Sequence, residues 1–137
     1  MKAIIVEDET GIVETLLGYL ARADVLCVDV ASSGEEALVL VAQTAYDLVI
    51  LDLYLSSAGK GGLDVLPDLR SRAPQSTIAI VSGYPDLVTE EDMQLADLLI
   101  HKPVKMDTFR HLAGLVKTIA EKRAEIRALG DPLSPGA

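Results

Sequence analysis

In four places an aliphatic run ends on a residue able to hold a cation or a phosphoryl oxygen. Ala3-Ile4-Ile5-Val6 leads into Glu7-Asp8, and Leu48-Val49-Ile50-Leu51 into Asp52. Ile78-Ala79-Ile80-Val81 leads into Ser82, and Leu98-Leu99-Ile100-His101 into Lys102-Pro103. One Asp behind one strand is ordinarily a turn-former or a helix cap. Two strands that end in acids, with a Lys-Pro behind another, make a set with its own chemistry. Two unit charges about 4 Å apart cost roughly 1–4 kcal/mol between the dielectric of water and that of a protein surface. Gathering three carboxylates therefore opposes folding unless a counter-charge accompanies them. Hard oxygen ligands in that number suit Mg²⁺, which keeps several waters and takes one or two carboxylates plus phosphate oxygens. Lys102 brings the remaining positive charge, and Ser82 a hydroxyl.

For these residues to meet, the four runs must be parallel strands of one sheet. The pattern along the chain predicts this. Strands are expected at Lys2 to Val6, Leu26 to Val30, Leu48 to Leu51, Thr77 to Val81 and Leu98 to His101, the first of them β-branched and apolar on consecutive positions as in a sheet covered on both faces. Between them lie helical patterns. Thr10 to Ala23 carries Ile12, Val13, Leu16, Leu17 and Leu20 on one stripe. Ser33-Gly34-Glu35-Glu36 has capping-box spacing ahead of Ala37, Leu38, Val41 and Ala42. Leu63 to Arg72 follows a long loop, Leu53 to Gly62, with Pro67 placed in its first turn or two. Pro85 delays the fourth helix, which Thr89-Glu90-Glu91-Asp92 opens and which runs to about Ala96. The last helix spans Met106 to Leu129, with Phe109, Leu112, Ala113, Val116 and Ile119 as its docking stripe. Five βα units joined by right-handed crossovers give a doubly wound α/β domain. Ligands on such sheets bind at the carboxyl ends of the strands, where the polar residues above fall.

Size and charge narrow the function. The chain has 137 residues and a formal charge of −9, which is enough for one domain with a real core. The half before residue 60 carries only Lys2 and Arg22 as bases. Gripping a nucleic-acid backbone needs a basic face, so this domain is expected not to do so. No apolar run approaches the length of about 18 residues that marks a membrane span, and acids interrupt the start before a signal-peptide core could form. A cytoplasmic location follows as the expectation. Cys27, the single cysteine, is expected to pack as a small buried hydrophobe in a reducing compartment.

Competing motifs fail. Gly59-Lys60-Gly61 lacks the earlier Gly of a phosphate-binding loop (position 54 is Tyr54), and no Ser or Thr follows Lys60. No G-x-G-x-x-G follows the first strand. His101, expected to face the strand interior or a neighbour, and His111, mid-helix, read as structural. Were Asp52 the nucleophile of a phosphatase working through an aspartyl-phosphate, a second Asp would more naturally stand two residues on, where this chain has Tyr54.

Glu7-Asp8, Asp52, Ser82 and Lys102-Pro103 on a (βα)₅ pattern resemble the receiver domain of two-component response regulators. The resemblance covers roughly residues 2 to 120. It implies a flavodoxin-like, five-stranded parallel sheet of order 2-1-3-4-5, and a switch that catalyses only its own phosphorylation and dephosphorylation. In that reading Asp52 accepts a phosphoryl group from a histidine kinase or a histidine phosphotransfer protein. Asp8, Asp52 and the backbone carbonyl of Tyr54 bind Mg²⁺, with Glu7 acting mainly through a water. Ser82 and Lys102 contact phosphoryl oxygens. The chemistry agrees: phosphoryl transfer needs placement and charge neutralisation, and a carboxylate at pH 7 needs no general base.

Some positions depart from the commonest pattern of that family. Glu7 stands where Asp is usual, Ser82 where Thr is frequent, Leu99 where many members carry Tyr or Phe, and Val104 where Phe is frequent. Switching would then rest on Ser82 and its loop moving toward the phosphate. Tyr54 and Tyr84 flank the expected site and could shield an acyl phosphate from water. The expected organisation is a receiver domain over 1–120, an extension of the last helix over 121–129 and a disordered tail over 130–137. Beyond residue 120 the helix is a solvated extension, or a dimer contact, or the start of a linker. The output partner would bind the face of the fourth helix, fifth strand and last helix. The alternatives are an interaction module not regulated by phosphorylation, a Mg²⁺-dependent phosphohydrolase on the same fold, and the receiver part of a larger regulator with a DNA-binding or enzymatic output domain.

Overall fold

The structure, a computed structural model, describes residues 1–52 and 62–131. Its elements alternate strictly: β1 (Lys2–Val6), α1 (Thr10–Arg22), β2 (Cys27–Ala31), α2 (Gly34–Gln43), β3 (Leu48–Asp52), α3 (Gly62–Arg72), β4 (Thr77–Ser82), a 3₁₀ turn (Pro85–Leu87), α4 (Glu90–Leu95), β5 (Leu98–His101) and α5 (Met106–Arg127). All strand pairs are parallel, and the order is β2-β1-β3-β4-β5. This is the doubly wound arrangement that the alternation predicts, in the flavodoxin-like strand order that the resemblance implies.

Consecutive apolar residues in the central strands are explained by two cores, one on each face. Ile4, Val6, Val49, Leu51, Ile78 and Ile80 face α2 and α3. Ala3, Ile5, Leu48, Ile50, Ala79 and Val81 face α1 and α5, where Leu16, Leu20, Phe109 and Ala113 meet them. The strand period of two thus divides each run between the layers. Burying both faces fixes the register, because a one-residue slip would exchange the layers.

Helix starts follow local chemistry. Thr89 Oγ1 accepts from Asp92 N at 3.1 Å while Asp92 Oδ2 accepts from Thr89 N at 2.9 Å, a complete capping box for α4. At α2 only half of the expected box forms. Ser33 Oγ accepts from Glu36 N at 3.1 Å, but the Glu36 carboxylate turns to the backbone and hydroxyl of Ser32. Pro67 sits in the second turn of α3.

Several expectations need correction. Cys27 is exposed, not buried. It starts the edge strand β2, which pairs with β1 on one side only, and Leu26 lies outside the strand at 81% exposure. His101, the last residue of the other edge strand, is exposed instead of facing the interior. The docking stripe of α5 ends at Val116; Ile119, at 44% exposed, lies beyond the sheet that would bury it. The helix itself closes at Arg127, two residues before the predicted end. The loop Leu53 to Gly62 lies almost wholly, and the tail 130–137 mostly, outside the described residues. Among the described residues no helix is long and apolar enough to cross a membrane.

Candidate functional site

The sheet order brings the ends of β1, β3, β4 and β5 to one edge. Register pairs Val6 with Leu51, Asp52 with Val81 and Ser82 with His101. Glu7 and Asp8 therefore follow β1 directly beside Asp52, and Lys102 follows β5 beside Ser82. Two backbone bonds extend this order past the strands: Glu7 N donates to the Ala31 carbonyl at 2.9 Å, and Lys102 N to the Ser82 carbonyl at 2.8 Å.

Asp52 is buried at the end of β3, its side chain only 5% exposed. Its Oδ2 lies 3.0 Å from Lys102 Nζ, a bond that reaches across β4 from β5 to β3. A buried carboxylate needs such a partner, since an unpaired charge loses its hydration without return. Lys102 keeps 31% of its side chain exposed, so its ammonium remains within reach of a group arriving from solvent. The peptide between Lys102 and Pro103 is cis.

Ser82 is buried, and its Oγ accepts from Tyr84 N at 2.8 Å. That bond uses a lone pair and leaves the hydroxyl proton to donate. Glu7 is buried too, and its Oε1 accepts from Glu9 N at 3.1 Å in the turn before α1. Asp8 is half-buried. Carboxylates thus share the edge, but Asp52 is drawn toward Lys102 and Glu7 folds back on its own turn. As placed, no three His, Cys, Asp or Glu side chains among the described residues stand close enough to enclose a metal ion. The donor set nevertheless fits a small hard divalent cation that takes one or two carboxylates and keeps its waters. Glu7, Asp8 and Asp52 bring three negative charges to this edge and Lys102 returns one. Tyr54, the expected carbonyl ligand, lies outside the described residues. Tyr84 is exposed, Leu99 packs against the α2–α3 core and Val104 against the α1–α5 core.

Two groupings carry no signal in the strand-end pattern. Arg70, in α3, donates from Nε to the Leu95 carbonyl at 2.6 Å and from Nη1 to the Ser76 carbonyl at 2.8 Å, and pairs with Asp97 at 2.9 Å. Tyr46 donates to Asp29, and burial, reinforced by that carboxylate, pushes its pKa up to about 12. A helical arginine and a pre-strand tyrosine look like surface and core residues in the sequence. Only the tertiary contacts reveal them.

Fold and site together define a doubly wound α/β domain with a lysine-paired aspartate at the carboxyl edge of its sheet. The chain belongs to the response regulator receiver domain family, whose model matches residues 3–113. It is 32% identical over 133 residues to the alginate biosynthesis transcriptional regulatory protein AlgB of Pseudomonas aeruginosa, covering 95% of this chain and 29% of that protein. It is 31% identical over 126 residues to the response regulator protein PilR of the same organism, covering 90% of this chain and 28% of that one. The chain thus spans less than a third of the length of these relatives. Among solved structures, a CheY-like receiver domain from Methylobacillus flagellatus matches with a TM-score of 0.74 and 28% identity, over 85% of this chain and 98% of that one. The receiver domain of NtrX from Brucella abortus shares the fold, with a TM-score of 0.74 at 23% identity over 84% of this chain and 97% of that one.

Proposed function

We propose that Asp52 is the phosphoacceptor of this receiver domain. The observation that carries the reading is the 3.0 Å contact between its buried carboxylate and Lys102, beside the Ser82 hydroxyl on the adjacent strand. In the reaction one carboxylate oxygen of Asp52 attacks the phosphorus of a phosphohistidine on a histidine kinase or phosphotransfer protein. The P–N bond breaks, its electron pair returns to the imidazole, and an acyl phosphate forms on Asp52. Lys102 then exchanges its bond to Oδ2 for a phosphoryl oxygen, and Ser82 donates its hydroxyl proton to another. Both interactions strengthen as charge accumulates on those oxygens, which is where preorganised donors accelerate phosphoryl transfer. Glu7, Asp8 and Asp52 would hold Mg²⁺, which neutralises charge on the carboxylate and the incoming group. The Tyr54 carbonyl completes that set in this reading.

Receiver domains are signalling modules, and self-directed phosphorylation and dephosphorylation would be the only catalysis here. The partners are a histidine kinase or phosphotransfer protein and an output element that meets the α4–β5–α5 face, in the cytoplasm. AlgB is a transcriptional regulatory protein, and both it and PilR are more than three times as long as this chain, so an output of that kind would lie outside this chain. Residues 1–120 form the receiver, and 121–127 extend its last helix. Incubation with a small acyl phosphate and Mg²⁺, followed by intact-mass measurement, tests the site. One added phosphoryl group, absent from Asp52→Asn, is expected. Absence of any adduct would leave an interaction module, and steady turnover of the donor would make the chain a hydrolase.

A further inference from the structure

A cavity of about 390 Å³ lies at the opposite pole of the sheet from Asp52. Asp47 and Ser76, which precede β3 and β4, line it together with the last turns of α2 and α3 and the far end of α5. Three of the chain's 12 basic residues border this one space: Arg72, Arg123 and Arg127. They do so in a chain of charge −9. The carboxylate facing them, Asp47, already accepts from the backbone N of Lys2 at 2.8 Å.

Two of the guanidiniums are held in place. Arg72 Nη1 donates to the Leu38 carbonyl at 3.2 Å, and Arg123 Nη1 to the Gln75 carbonyl at 2.7 Å. Each bond uses one of five N–H groups and leaves the others free. The side chain of Arg127, one turn beyond Arg123, makes no hydrogen bond or ion pair among the described residues.

Positive charge is favourable wherever a helix ends, and α2, α3 and α5 all end at this pole. That effect accounts for an arginine on a single helix. It does not account for three guanidiniums converging on one open cavity, whose charge the half-charges of three dipoles and Asp47 offset in large part but not wholly. Planar forks held at separate points recognise phosphate and carboxylate groups in pairs. The volume falls within the range of about 300–1,000 Å³ typical of small-molecule sites.

We propose that this cavity is a second ligand site, for a compact polyanion that carries at least two phosphate or carboxylate groups. Its occupant bridges the end of α3 to the end of α5 and is bound independently of the chemistry at Asp52. The test is a titration of the whole chain in metal-free, low-salt buffer, with pyrophosphate in one arm and citrate in the other, followed by amide NMR. Saturable shifts are expected at Thr44, Gln75, Ser76 and Arg123. Saturation by pyrophosphate alone marks a phosphorylated ligand, and saturation by citrate alone a polycarboxylate; either supports the site. Arg127→Gln should weaken binding at least fivefold, and Arg123→Gln with Arg127→Gln at least tenfold. Because Arg127 is exposed and partnerless, its single variant decides the matter if the double variant unfolds. Shifts confined to Ser82 and Lys102, binding unchanged by Arg127→Gln, or no saturation in either arm would overturn the proposal.

Discussion

Lys102 Nζ stands 3.0 Å from Asp52 Oδ2, so the end of β5 is tied to the end of β3 over the intervening β4. The two partners are unequally placed: Asp52 is almost fully enclosed, whereas Lys102 reaches water. Removing the lysine takes its ion-pair partner from a buried carboxylate that lies beside Glu7, while neutralising the aspartate leaves a lysine that can still solvate its ammonium. Lys102→Met should therefore cost about 1–3 kcal/mol, below the full penalty for a deeply buried pair because Lys102 is partly screened. In an Asp52→Asn background the same change should cost less than about 1 kcal/mol. A double-mutant cycle by urea denaturation without metal measures the difference. Equal costs in both backgrounds would mean the pair contributes nothing to the fold.

Cys27 offers a cheap check on the edge of the sheet. Its side chain is exposed at the start of β2. A thiol reagent should label it to completion in the native protein at a rate close to that in denaturant. Protection by more than about a hundredfold, equivalent to an opening free energy of roughly 3 kcal/mol, would place the residue in a covered strand instead.

Tyr46 gives the fold a pH dependence of known sign. Its pKa of about 12 in the folded chain stands above the ordinary 10.0, chiefly through burial and then through Asp29. The folded state holds this proton more tightly than the unfolded chain does. Its contribution is thus complete below about pH 10 and is lost as pH rises through about 12. The stability advantage of wild type over Tyr46→Phe should shrink by roughly 1–3 kcal/mol across that window. Denaturation of both proteins at stepped alkaline pH measures it, and parallel curves would contradict the shift.

The sheet and the place of the site were legible because each rests on a short local signal. Apolar runs such as Ile4–Val6 and Ile78–Val81 mark strands buried on both faces, and a parallel sheet leaves Asp52, Ser82 and Lys102 only one edge to share. Features set by the limits of the sheet were not legible. Cys27 sits in the short apolar run Val25–Val28, and only Asp29, a charge in mid-strand, hints locally that β2 is an edge. Ile119 keeps the spacing of the docking stripe, and nothing local says that the sheet beneath it has ended. The half-formed box at α2 failed for a similar reason: Ser32 competes with Ser33 for the Glu36 carboxylate, a choice that spacing alone does not make.

Arg70 is the strongest case of a role that only the tertiary structure reveals. Its guanidinium serves the carbonyls of Leu95 and Ser76 and the carboxylate of Asp97, and the same carboxylate oxygen accepts from Ile78 N at 2.8 Å. One side chain thus joins α3, the start of β4 and the turn from α4 to β5. The anchorage matters because α4 is only six residues long and buries none of them. Its capping box fixes where it starts but not where it lies. Asp97 is half-exposed, so the ion pair itself is worth little; the carbonyls left without donors carry the cost. Arg70→Met should lower stability by about 2–4 kcal/mol, and Arg70→Lys should recover less than half of that, since an ammonium cannot reproduce the fork. Urea denaturation measures the loss. Amide exchange should also quicken in α4 before the rest of the domain opens, because its tether fails first. Unchanged exchange in α4 would show that Leu95 and Ala96, packed on the core, hold the helix without the arginine.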